Sequence, residues 1–477
     1  MRHTKLALAT MALAVLAACG GTSPSAGDQT PKIKYTAQVT FGDSLSDIGT
    51  YAVGNIKALG GGKFTINGDN TAINPTLTGK NYTELLAAQL GVAAPCAAMT
   101  GLNGDASLGY SVPTTTHAGC YGYAQGGSRV TNPIGPFNAA APSLGANNTI
   151  VIGSPVGALT VPVATQIANH LAAVGGKFTG TEMVIVMAGG NDVLEQLNEL
   201  AVNAAKAGAA AGATAGNNAF GASLVAQLAA GATNPQTAAQ AIGLALATAS
   251  ATPGATQTDI VTAAIGAAAV QPGNSAVASP AVYGPMVAKA TTDGQTAGAA
   301  AGLAAANAYA ATNGPALVAN MAAAGQQLVD LVHKQILANG ANYVTVNNLP
   351  DVATTPSGLA QPASTQALIA AMVTAFNTAL STGFASDSKV LLVDVYAVSH
   401  DQVTNPGPYG LTNTTTPACD LSVAKNPLQS SLICNGSNLI SGDVSHYSFA
   451  DTVHPTPFNN LLLARYVAEK MVIKGWL

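Results

Sequence analysis

Four short blocks of this sequence carry residues that could perform nucleophilic chemistry together. The first, Gly42-Asp43-Ser44-Leu45-Ser46-Asp47, follows directly on the apolar run Ala37–Phe41. A serine in that place stands at the carboxyl end of a buried strand, and Gly42 lets the backbone turn sharply. A serine hydroxyl is a weak nucleophile until a base takes its proton and an acid orients that base, so a histidine and a carboxylate are required elsewhere. Asp451-Thr452-Val453-His454 supplies both. With Asp451 accepting from Nδ1–H, Nε2 of His454 is left to deprotonate Ser44. The other histidines fit less well. His3 lies in the leader, His333 falls in a helical pattern, and His117, His170, His400 and His446 have no comparable acidic partner at short spacing except His446 with Asp443.

Gly189-Gly190-Asn191-Asp192 follows the apolar run Met183–Met187, and the Asn191 amide could donate to a developing oxyanion. In Tyr123-Ala124-Gln125-Gly126-Gly127-Ser128 a glycine lets a backbone N–H approach a ligand. Each block alone is equally an ordinary turn or helix cap. The chain has no G-x-S-x-G, so the nucleophile elbow of α/β-hydrolases is absent.

In the order Ser44, Gly127, Asn191, Asp451, His454 the blocks resemble the GDSL, or SGNH, hydrolase family, from about Val39 to Lys474. The resemblance implies that family's α/β/α fold, with Ser44 as nucleophile, His454 as base and Asp451 as its orienting acid. It also implies an oxyanion hole made by the N–H groups of Ser44 and Gly127 and the amide of Asn191. Phe41–Asp47, Asn348-Leu349-Pro350-Asp351 and Pro408–Asn413 look like the bacterial branch of phospholipases, lecithinases and autotransporter esterases. The chain departs from that branch at Ser128-Arg129, where alanine is more usual after the glycine. It departs from the autotransporters in having one helical pattern after His454, so a lipid anchor is expected in place of a β-barrel. The implied activity is hydrolysis of carboxylic esters, lipid or short-to-medium acyl, without cofactor or metal. Acyl transfer to a lipid, sterol or sugar hydroxyl and carbohydrate deacetylation would use the same groups. A surface-binding lipoprotein is the non-enzymatic alternative.

The elements needed to hold these groups are legible as patterns. Ala37–Phe41, Met183–Met187, Tyr343–Val346 and Val390–Val395 read as buried strands, and Tyr82–Leu90, Pro162–Val174, Ala316–Ala338, Thr365–Leu380 and Phe458–Ile473 as helices. Their alternation predicts a three-layer α/β/α sandwich around a mostly parallel sheet, with active groups at the carboxyl ends of the strands. The Ala/Gly-rich stretch from about 201 to 314 interrupts that alternation and is uncharged from Ala207 to Thr258. It reads as a helical insertion in which Gly and Pro break any long helix into short ones, and as a candidate cover over the site. Its Gly, Asn, Pro and Gln recur too often for a membrane span.

Of the 477 residues only 8% are charged and the net charge is -4, which excludes a basic nucleic-acid surface. The mean hydropathy of +0.31 comes largely from alanine. Arg2 and Lys5 precede the apolar run Leu6–Ala18, an export signal ending in Leu16-Ala17-Ala18-Cys19. That ending resembles a lipobox, which implies a signal peptide over 1–19, a lipidated Cys19 and membrane anchorage. Residues 20–34 read as a flexible tether and 35–477 as the hydrolase domain. Gly20 after the cysteine favours the outer membrane by the same resemblance; without lipidation the protein would be secreted. The remaining four cysteines allow three connectivities, and proximity suggests Cys96 with Cys120 and Cys419 with Cys434, unless they are free thiols. None lies in a CxxC or beside paired histidines, so no zinc site is expected.

Overall fold

The structure is a computed structural model and describes residues 33–145 and 149–477. The leader, Cys19 and most of the tether lie outside the described residues.

The central sheet is parallel, in the order β1 (Gln38–Gly42), β6 (Met183–Met187), β7 (Tyr343–Asn347), β8 (Val390–Val393). Two hairpins lie outside it, β2 (Met99–Asn103) with β3 (Ser111–Thr116) and β4 (Pro142–Leu144) with β5 (Ile150–Ile152). β6 is apolar throughout and fully buried, as a central parallel strand must be when helices cover both faces. Met183, Ile185 and Met187 face the layer formed by the Tyr82–Leu90 and Pro457–Lys474 helices. Val184 and Val186 face the other layer, made by Val163–Ala173, Ala363–Gly383 and the end of Pro280–Leu331. This is the three-layer sandwich that the alternation of patterns predicts. Ala363–Gly383 is also long and apolar enough to cross a membrane, but it buries Met372, Val373 and Phe376 in the sheet's core.

A further segment extends the sheet beyond β1. Thr40 N–H donates to Tyr121 C=O at 2.9 Å, Tyr123 N–H to Thr40 C=O at 2.8 Å, and Gln125 N–H to Gly42 C=O at 3.1 Å. The chain from Tyr121 to Gln125 therefore runs parallel to β1 and delivers Gly126-Gly127 to the rim where β1 ends. Cys120, at the start of this segment, is bonded to Cys96, and Cys419 to Cys434. Two disulfides are consistent with an exported protein.

The Ala/Gly-rich stretch corrects the expectation of short helices. It runs through a 40-residue helix, Gly190–Ala229, and a 52-residue one, Pro280–Leu331, packed together, with Pro235–Ser250 and Gln257–Ala269 at the far end. The glycines do not break these helices because they serve the contact between them. Gly208, Gly212 and Gly216 oppose Gly302, Gly298 and Gly294, and a Cβ on Gly212 would lie 2.8 Å from Gly298 O. Glycines four residues apart form one bare stripe on each helix, which lets the backbones approach closely. Pro285 and Pro315 are carried inside the second helix. At the far end Leu224, Leu228, Ile242, Ala264 and Val277 form a small core separate from that of the sheet.

Candidate active site

Ser44 sits on the turn that closes β1. Gly42 has φ +151, and a Cβ there would fall 2.1 Å from Met187 O, so the strand end accepts only glycine. The buried amide of Gln166 accepts from Gly42 N–H and donates to Gly42 C=O, both at 2.8 Å. Ser46 N–H then donates to Asp43 C=O, completing the turn that presents Ser44 to a cavity.

His454 reaches the serine from the loop before the last helix, whose first turn is capped by Thr456 Oγ1 accepting from Asn459 N–H. Its Nε2 is 2.8 Å from Ser44 Oγ, and its Nδ1 is 2.8 Å from Asp451 Oδ2. Asp451 is buried and also accepts from the N–H groups of Ser431, Val453 and His454 at 2.7, 2.9 and 2.7 Å. Burial alone would raise its pKa, but the charge of His454 and the hydrogen bonds from His454 and Ser431 hold the carboxyl well below the usual carboxylate range. An ionised Asp451 can select the Nδ1–H tautomer and stabilise the imidazolium formed on proton transfer. Phe64 packs on the His454 ring with centroids 4.8 Å apart. Asp43, beside the serine, is buried and lifted to about 7, against the lowering effect of Leu45 N–H and the His454 charge.

The structure also distinguishes the two glycines of the second block. Gly126 N–H donates to Asp47 Oδ2 at 2.9 Å, and Tyr51 Oη donates to Gly126 C=O. Gly127, at φ +80, lines the cavity, and its N–H, like that of Ser44, meets no acceptor among the described residues. Asn191 lies in the first turn of the Gly190–Ala229 helix and donates through Nδ2 to Ser128 C=O at 2.9 Å. Its second amide hydrogen is left for the cavity, beside two unpartnered N–H groups. Such orphans in a cleft call for a functional explanation. The three could together bind a carbonyl oxygen as it becomes negative.

At the departure seen in this loop, Ser128 Oγ donates to Val161 C=O at 2.8 Å, and Arg129 beside it is buried in an ion pair. Its Nε donates to Asp192 Oδ1 at 3.1 Å, while Val130 N–H donates to Asp192 Oδ2 at 3.0 Å. The buried pair ties the Gly127 loop to the helix that carries Asn191. Two other histidines have acids that local spacing does not show: His400 with Asp351 and His333 with Asp387, each at 2.7 Å.

The cavity has a volume of about 680 Å³ and is mostly apolar, with Phe64, Leu194, Leu349, Val398, Phe449 and Leu463 among its walls. None of its lining residues comes from 201–314, which corrects the expectation of a cover from that stretch. Sequence reasoning missed Phe64, Gln166 and the Arg129–Asp192 pair, whose partners are distant in the chain and leave no local signal. Among the described residues no group of His, Cys, Asp and Glu is arranged to hold a metal ion.

A central parallel sheet between helical layers, with Ser, His and Asp linked by hydrogen bonds at its carboxyl rim, is consistent with an SGNH-like α/β/α fold. No family model matches the chain. Two curated relatives of Arabidopsis thaliana are similar over part of it. One GDSL esterase/lipase is 31% identical over 84 residues, 18% of this chain and 22% of the relative. The GDSL esterase/lipase APG is 29% identical over 147 residues, 28% of this chain and 39% of the relative. The chain thus matches well under half the length of either relative, and both matches support the GDSL family.

Proposed function

We propose that this protein is a serine esterase that hydrolyses carboxylic esters through an acyl-enzyme. The observation that carries the reading is the 2.8 Å contact from His454 Nε2 to Ser44 Oγ, continued by the 2.8 Å contact from Nδ1 to Asp451, on the wall of a large apolar cavity. Ser44 attacks the ester carbonyl while His454 takes its proton. The N–H groups of Ser44 and Gly127 and the Asn191 amide hold the oxyanion, and His454 returns the proton to the departing alcohol. Water activated by the same histidine then releases the acid. The names of the two plant relatives support ester hydrolysis. The leader and Cys19 support export and lipid anchorage of a hydrolase domain over 35–477, and the motifs quoted above support the bacterial phospholipase and esterase branch.

The test is hydrolysis of p-nitrophenyl esters from acetate to palmitate by the wild type and Ser44→Ala, with a fluorophosphonate label on the serine. Loss of turnover and of label in Ser44→Ala supports the reading. A folded wild type that neither turns over nor labels refutes it.

A further inference from the structure

The charged residues lining the cavity are Asp43, Glu195, Asp351 and Asp451, with no lysine or arginine among them. Two of these acids face histidines, Asp451 with His454 and Asp351 with His400. Asp43 accepts from Leu45 N–H within the serine's own turn. Glu195 is different. It is 2% exposed, yet its carboxylate takes only a 3.3 Å hydrogen bond from Asn198 Nδ2. The nearest guanidinium, Arg129, is bonded to Asp192 and lies 4.0 Å from Glu199, so one cation serves three acids on one helix. A buried carboxylate that shares one cation with two other acids is incompletely compensated, and burial together with Glu199 raises its pKa against the opposing effects of Asn198 and Arg129. Glu195 also sits one helical turn beyond Asn191, on the same helix face, and both residues line the cavity.

Resting on the esterase reading, we propose that Glu195 is a specificity residue that selects esters carrying a cationic group near the scissile bond and rejects those carrying an anionic one. A substrate ammonium would supply the positive charge that the shared Arg129 does not. An anion in the same place would face the buried acid without a compensating cation.

The experiment compares kcat/KM for butyrylcholine, its uncharged isostere 3,3-dimethylbutyl butyrate, and the anionic 3-sulfopropyl butyrate. The wild type is expected to prefer the cationic ester over the anionic one by about tenfold or more, and Glu195→Gln to bring that ratio within about threefold. An unchanged ratio in Glu195→Gln, or no preference in the wild type, overturns the proposal. Calorimetric binding of hexyltrimethylammonium and hexanesulfonate to the wild type tests it without turnover or a variant, and equal affinities overturn it. Failure to hydrolyse any ester would count against the esterase reading alone.

Discussion

Asn191 Nδ2 lies 2.9 Å from the carbonyl oxygen of Ser128 and donates to it. The two hydrogens of an amide are coplanar, so engaging one sets the direction of the other, here toward the cavity that Ser44 and Gly127 line. Asn191→Ala should lower kcat by about a hundred- to a thousandfold with little change in KM. Steady-state kinetics on one p-nitrophenyl ester checks this, and a loss carried by KM would assign the amide to substrate binding instead.

Asp451→Asn keeps the side chain's shape but removes its charge, replaces with an NH2 one of the two oxygens that accept from Ser431 and Val453, and favours the wrong imidazole tautomer. A fall in kcat of roughly ten thousandfold is expected. Retained near-UV circular dichroism would show that chemistry, not folding, was lost.

Replacing Arg129 with Met would leave Asp192 buried without its cation. The expected cost is about 3–5 kcal/mol, read from urea unfolding, with part of it recovered when Asp192→Asn is added. Equal midpoints for wild type and Arg129→Met would mean that the pair does not hold the loop.

His170 is packed among Phe41, Tyr121, Tyr123 and Phe178, and neither ring nitrogen has a partner. Burial depresses its pKa from 6.5 to about 4, with Glu182 opposing. The folded state therefore binds fewer protons than the unfolded one between these values, and stability falls as the pH drops from about 6.5 toward 4. His170→Phe should remove a part of that slope worth up to about 3 kcal/mol. Denaturant titrations of both proteins at pH 7 and pH 4.5 measure it, and parallel losses would exclude His170 as a source.

Gly212→Leu should force apart the two long helices where a Cβ already meets Gly298 O at 2.8 Å. A loss of about 1–3 kcal/mol is expected, with limited proteolysis appearing in the paired helices. Gly243→Leu, where no heavy atom lies within 4 Å of a Cβ, is the control that should do neither.

Much of the sheet was legible because its signal is local. Met183–Met187 has the same bounds in pattern and structure, since an uninterrupted apolar run of strand length belongs at the centre of a parallel sheet. Tyr82–Leu90 likewise matches, bounded by its Asn81–Glu84 capping box and by Gly91 in the left-handed conformation. The hairpins β2–β3 and β4–β5 escaped, and so did two further elements. The edge segment Tyr121–Gln125 pairs with β1 through single bridges and contains Gly122, so it lacks a strand's pattern. The helix Val395–Thr404 was hidden because the strand pattern reads through its N-cap, Asp394, to Val395. The long paired helices were misread because a glycine counts against a helix taken alone, while its value here lies in the opposite helix.

The sequence by itself determined the residue types, the order of the blocks and their places at strand ends, because each depends on neighbours a few positions away. It also placed Asp451 beside His454, three residues apart. Only the tertiary structure decided that His454 meets Ser44 across 410 residues, that Gly127 and not Gly126 faces the cavity, and that Arg129 answers Asp192. Those pairings depend on which faces pack and which hydrogen bonds are already taken, and neither leaves a period or a spacing in the chain.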